Sequence, residues 1–136
     1  MNPQDALRQY ASAAIEGRVE TATPHALVAM LMDGALEKIA IARMHMENAQ
    51  VAQKGEHVSW AISIIAGLRA SLEREQGGEI ATNLDALYDY MERRLLEGNL
   101  RNDTGMLDEV SGLLRRIKSG WDAIPEELRR AGAPTP

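Results

Sequence analysis

Cysteine and phenylalanine are both missing from this chain of 136 residues. Without thiols there is no disulfide framework, no thiolate metal site and no cysteine nucleophile. Aromatic residues make up only 4% of the sequence against 45% hydrophobic residues. The core must therefore come from Leu, Ile, Val, Met and Ala, several of them strong helix formers. An excess of positive charge is missing too. Fifteen basic residues face twenty acidic ones, for a formal net charge of −5, which argues against nucleic acid as a partner. The basic pairs Arg93–Arg94, Arg115–Arg116 and Arg129–Arg130 are separated and interleaved with acids, so no positive stripe forms. No stretch approaches the roughly 18 uncharged apolar residues of a membrane span, and Met1–Asn2–Pro3–Gln4–Asp5 opens without a basic cluster and apolar run. A cytoplasmic protein without membrane insertion is the expectation.

Catalytic and metal-binding patterns are equally sparse. The histidines are His25, His45 and His57, with no HExxH and no Glu-x-x-His motif to hold a metal on a helix face. Gly77–Gly78 does not lead into the Lys-Ser or Lys-Thr of a phosphate cradle. The chain is expected to be no enzyme, with no catalytic residues, no metal and no cofactor. His25, in the turn after Pro24, reads as a polar surface residue.

What the sequence does have is helical periodicity. Thr23 can cap a helix whose first residue is Pro24, where the missing N–H costs nothing. The pattern then runs to about Gln53, with Lys54–Gly55 as the expected stop. Ile62, Ile65, Leu68 and Leu72 mark a second helix over about 56–76, and Gly77–Gly78 is the strongest break in the chain. Ile80, Leu84, Leu87, Tyr88, Met91 and Leu95 mark a third, to about Asn99. Asp103 can cap a fourth, with Leu107, Val110, Leu113/Leu114, Ile117 and Trp121 along its inner stripe. Period-two alternation is missing. Four helices with short breaks predict an all-α, antiparallel four-helix bundle over 23–124. A mobile N-terminal segment, 1–22, helical or extended, is expected to pack across it, and 125–136 to form a flexible tail.

The first long helix is more apolar than one buried stripe requires. Leu27, Met30/Leu31, Gly34, Lys38, Ala42 and Met46 form one line; Val28, Met32, Ala35/Leu36, Ile39, Ala42/Arg43 and Met46 form another beside it. One line can face the core. The second is either covered by the N-terminal segment or a partner, or buried because the helix is central in a small bundle. Met30, Met32, Met44 and Met46 suit a surface that adapts to varied helical partners, and equally suit ordinary packing. Among the larger side chains, Trp60 is expected at the flank of the core, Trp121 closing it, and Tyr90 turned outward.

These motifs together resemble the flagellar secretion chaperone family that binds flagellin before export. The resemblance rests on Tyr10, on Thr21–Ala22–Thr23–Pro24 followed by Leu27 and Met30–Leu31–Met32–Asp33–Gly34–Ala35, and on Leu68–Arg69–Ala70–Ser71–Leu72. It continues through Gly77–Gly78–Glu79–Ile80–Ala81–Thr82–Asn83–Leu84, Leu87–Tyr88–Asp89–Tyr90–Met91, Asn99, Asp103, Leu107, Leu113–Leu114 and Trp121, so that it covers about residues 5–124. Met32 stands where the family commonly has a tyrosine, and Trp60 is bulkier than the polar or basic residue expected there.

The resemblance implies a chaperone that works by binding alone. It captures the disordered C-terminal segment of flagellin, prevents premature polymerisation and supports delivery to the flagellar type III export apparatus. Leu31, Met32, Ala35 and Ile39 are then expected on the cargo-facing side of the first helix, with Ala6, Leu7 and Tyr10 as an N-terminal cover. An export-gate component or a late-gene regulator are further partners of such a family. A homodimeric structural or regulatory bundle that spends its spare apolar surface on a second copy is the alternative from another class.

Overall fold

A computed structural model describes residues 23–72 and 74–125. The cover residues Ala6, Leu7 and Tyr10, the rest of 1–22 and nearly all of the expected tail lie outside these described residues. Among the described residues the elements are α1 (Pro24–Glu47), α2 (Val51–Ala70), α3 (Arg74–Arg101) and α4 (Thr104–Asp122), with no strand.

The starts of α1 and α4 follow from capping chemistry. Thr23 accepts a hydrogen bond from the Ala26 N–H at 3.1 Å with Pro24 as the first helical residue, and Asp103 accepts from the Met106 N–H at 3.3 Å. Each satisfies a donor that the helix itself cannot. Within α3, Gly78 leaves helical geometry at φ 53° and ψ −136°, a conformation glycine reaches without a Cβ penalty. The regular part of α3 follows it.

The first helix is shorter than its apolar pattern suggests. It stops at Glu47 rather than near Gln53, and Lys54–Gly55 lies inside α2. The stop is a Schellman closure: the Ala49 N–H donates to the Met46 carbonyl at 3.3 Å and the Gln50 N–H to the His45 carbonyl at 2.9 Å, with Ala49 at φ 56°. The end of α3 repeats the device. Asn102, also at φ 56°, donates to the Asn99 carbonyl, and Asp103 donates to that of Gly98. Asp103 thus closes one helix and caps the next. That pivot brings α3 and α4 close: a Cβ on Gly98 would lie 2.8 Å from Leu107 Cδ1 and 3.1 Å from Met106 Cβ.

Each helix packs on its neighbours in the chain and α4 closes back on α1, while the diagonal pairs stay apart. The result is an up-down-up-down four-helix bundle. Its core holds Met32, Ile39, Ile64, Ile65, Met91, Leu95, Leu107 and Leu114, all essentially inaccessible. Lys54 is buried as well, its ammonium donating to the Asn99 carbonyl and to Asn102 Oδ1, both at 3.0 Å. It thereby completes the C-terminal cap of α3.

His25 and Trp121 tie the other end. Expected on the surface, His25 is buried and stacks on Trp121 with ring centroids 4.6 Å apart. The Trp121 indole N–H donates to the His25 carbonyl at 2.8 Å, and His25 Nε2 lies 2.6 Å from the Trp121 carbonyl oxygen. Tyr90 is not free either, since its hydroxyl donates to Glu109 on α4. Tyr88, on the inner stripe, has its phenol pushed up to about 12 by burial.

Candidate functional site

The helices are held to one another by different chemistry on different seams. Arg43 joins α1 to Asp108 of α4 at 2.7 Å, Arg94 joins α3 to Glu109 of α4 at 2.8 Å, and Arg69 joins α2 to Asp85 of α3 at 2.7 Å. Between α1 and α2 the outer contacts are of another kind. The Lys38 ammonium sits 3.9 Å from the centre of the Trp60 ring, a cation–π pair that also lays the apolar lysine stem along the groove. Two turns further along α1, His45 meets His57 of α2 with ring centroids 5.3 Å apart.

The placement of the core decides which apolar line of α1 looks outward. Met32, Ala35, Ile39, Ala42 and Met46 fill the core. At about 100° per residue, Leu27, Leu31, Gly34, Lys38, Ile41 and His45 form a second line roughly a quarter-turn away. All of these except buried Gly34 are partly exposed. The antiparallel register set by the Lys38–Trp60 and His45–His57 contacts brings Gly34 opposite the turn of α2 that carries Ser63 and Gly67, both buried. The outer α1–α2 face is therefore a shallow seam: small residues along its floor, Leu31 and Trp60 on its walls, and the Lys38 stem across it.

Trp60 adds a polar feature. Its Nε1 is buried and has no hydrogen-bond partner. An indole N–H left without an acceptor costs free energy of about 1–3 kcal/mol.

Of the four residues expected to face cargo, only Leu31 belongs to this seam. Met32, Ala35 and Ile39 are 1%, 0% and 1% exposed and pack inside the bundle. Their assignment to an outer face is corrected here, because a side chain with no accessible surface cannot touch a ligand laid on the folded bundle. The two lines of α1 lie side by side, and the one through Met32, Ala35 and Ile39 is the one that faces the core. Ser63 and Gly67 had no comparable signal, since only the α1–α2 register brings them to Gly34.

No group of three or more His, Asp or Glu able to hold a metal occurs among the described residues. The Tyr90 hydroxyl and Arg94 hold the Glu109 carboxylate below its usual range. No helix among the described residues is long and apolar enough to cross a membrane.

Comparison with known proteins gives this arrangement a context. The family described as Flagellar protein FliS matches residues 6–128. The chain is 52% identical over 124 residues to the flagellar secretion chaperone FliSB of Pseudomonas aeruginosa, covering 91% of this chain and 98% of that one. It is 50% identical over 119 residues to flagellar secretion chaperone FliS of Salmonella typhimurium, covering 87% and 88%. For flagellar secretion chaperone FliS of Bacillus subtilis the figure is 38% over 115 residues, covering 85% of each.

Proposed function

The chain belongs to the FliS family of flagellar proteins, and from that premise we propose that it is a flagellar secretion chaperone whose cargo is the disordered C-terminal segment of flagellin. The family is one of chaperones rather than enzymes. Cargo capture is placed on the outer α1–α2 seam, with Leu31 as the contact retained from the expected set and Leu27, Ile41, Lys38 and Trp60 beside it. The observation that carries this reading is the second apolar line of α1, left outside a core that is already filled by the first.

The physical logic is one of shielding. A flagellin terminus carries apolar positions meant to pack in a filament, and covering them on a chaperone opposes self-association by mass action. A disordered segment spends part of its contact energy on becoming ordered, so the complex is specific yet separable at the export apparatus in the cytoplasm. The small residues let α1 and α2 pack closely, which leaves Leu27, Leu31, Ile41 and the Trp60 ring as the partly exposed strip against which a helix or extended strand of cargo is laid. The N-terminal residues Ala6, Leu7 and Tyr10 compete for the same seam in the free protein.

The test is a mixing experiment. Purified chain and flagellin are combined under filament-forming conditions and followed by light scattering, sedimentation and circular dichroism. A one-to-one complex with added helical signal and suppressed polymerisation supports the reading. A chain that sediments as a stable dimer and leaves polymerisation unchanged supports the homodimeric alternative instead.

A further inference from the structure

The turn between α1 and α2 does more than reverse the chain, because it sets two imidazoles side by side. His45 lies in the last turn of α1 and His57 in the second turn of α2, both half-exposed. Their ring centres are 5.3 Å apart and their planes are inclined at 36°.

Each ring is held by its δ nitrogen. His45 Nδ1 lies 2.6 Å from Gln50 Oε1, and His57 Nδ1 lies 2.9 Å from the Gln53 carbonyl oxygen. Both oxygens only accept, so in the neutral rings Nδ1 carries the proton and donates it. Each Nε2 is left with its lone pair. Gln50 is itself fixed by the turn: its N–H donates to the His45 carbonyl at 2.9 Å, and its own carbonyl accepts from the Lys54 N–H at 2.9 Å, where it caps α2. The group that orients His45 is therefore part of the chain reversal. An Nδ1–H bonded to a carbonyl oxygen fixes the tautomer and the ring orientation and makes Nε2 the better ligand, which is the support that metal-binding histidines receive.

The spacing agrees with the same chemistry. A tetrahedral zinc ion held by two imidazole nitrogens at about 2.0–2.1 Å puts the ring centres roughly 5 Å apart, against the 5.3 Å found here. The long cationic side chains in this half of α1 are engaged elsewhere. Arg43 turns to Asp108 and Glu47, while Lys38 lies over the Trp60 ring and pairs with Glu37.

We propose that His45 and His57 bind one divalent transition-metal ion through their Nε2 atoms, with water in the remaining positions. Imidazole suits zinc, copper and nickel, whereas magnesium and calcium prefer oxygen ligands. Two protein ligands make an exchangeable site rather than the closed four-ligand shell of a structural zinc. The ion clamps the end of α1 to the start of α2. It sits beside Trp60, whose ring centre is 6.2 Å from that of His57. No sequence motif marks the site, because its ligands lie on two different helices. It does not rest on the cargo reading.

Calorimetric titration of the full, tag-free chain with zinc chloride at neutral pH tests the proposal. One saturable equivalent per chain is expected. At free zinc about tenfold above its Kd, the melting temperature should rise by about 5 °C. His45→Gln and His57→Gln, both at half-exposed positions, should each bind zinc about tenfold or more weakly and lose that rise. Either variant carries the test alone if the other fails to fold. With Trp121→Phe, Trp60 is the remaining indole; copper(II) should quench most of its fluorescence, and little of it once His57→Gln is added. Magnesium should produce neither effect. A flat zinc titration overturns the proposal, as does unchanged affinity in a folded histidine variant or an equal response to magnesium. Half an equivalent per chain with a dimer in sedimentation also overturns it, because two copies would then share the ion.

Discussion

Replacing Ile39 and Leu31 separately with aspartate distinguishes the core line of α1 from its outer line. Ile39 is 1% exposed, and truncating such a side chain costs about 2–5 kcal/mol. An aspartate there also buries a carboxylate with no partner, which adds several kcal/mol unless the group takes up a proton. The sum is comparable to the total stability of a domain this size, about 5–15 kcal/mol, so Ile39→Asp should unfold the protein or reduce it to a weakly structured state. Leu31 is only partly buried. Its aspartate variant should lose about 0.75–1.5 kcal/mol of apolar burial, half of what a fully buried leucine contributes, and keep its carboxylate hydrated. A thermal melt followed by far-UV circular dichroism should show a drop of several degrees for Leu31→Asp, with helicity retained and flagellin binding weakened at least tenfold. The reasoning is refuted if Ile39→Asp melts like the wild type and loses only binding, because Ile39 would then face outward.

Four other outcomes follow from named contacts. Gly98→Ala should destabilise the bundle by about 1 kcal/mol net in denaturant titration, because the crowding against Leu107 and Met106 outweighs the gain in helix propensity. Lys54→Met keeps the apolar stem but leaves the Asn99 carbonyl and Asn102 without their donor, and should cost about 1–3 kcal/mol by the same measurement. Trp121→Phe retains a ring against His25 but removes the indole donor, and should lower stability by about 1 kcal/mol. Tyr88 gives a pH signature: its phenol is held protonated to about 12 in the folded state against about 10 in the unfolded chain. Between those values the unfolded state has fewer protons bound, so stability falls as pH rises, by about 3 kcal/mol in all. It is fully present below pH 10, and Tyr88→Phe should remove this part of the alkaline transition.

What could be read from the sequence was the chemistry that acts locally. Thr23 with Pro24, Asp103, and the Gly77–Gly78 break each impose their effect within a few residues, and the structure shows caps at the first two and a non-helical Gly78 at the third. The end of α1 escaped because its left-handed residue is Ala49 rather than glycine; the closing hydrogen bonds, and not the residue type, define that turn. His25 escaped for the opposite reason. Its burial depends on Trp121, which is 96 positions away. The outward line of α1 was visible as a second apolar stripe, but local periodicity treats two adjacent stripes alike. Only the packing of α2 and α4 against Met32, Ile39 and Met46 decides between them.

The most direct measurement is a calorimetric titration of the folded chain with the C-terminal segment of flagellin, in moderate salt and at several temperatures. Saturable one-to-one binding with a negative heat-capacity change, reduced in Leu31→Asp, is the predicted result and marks apolar burial on the α1–α2 seam. A flat titration with a folded chain and a flagellin segment from the same organism would contradict the account.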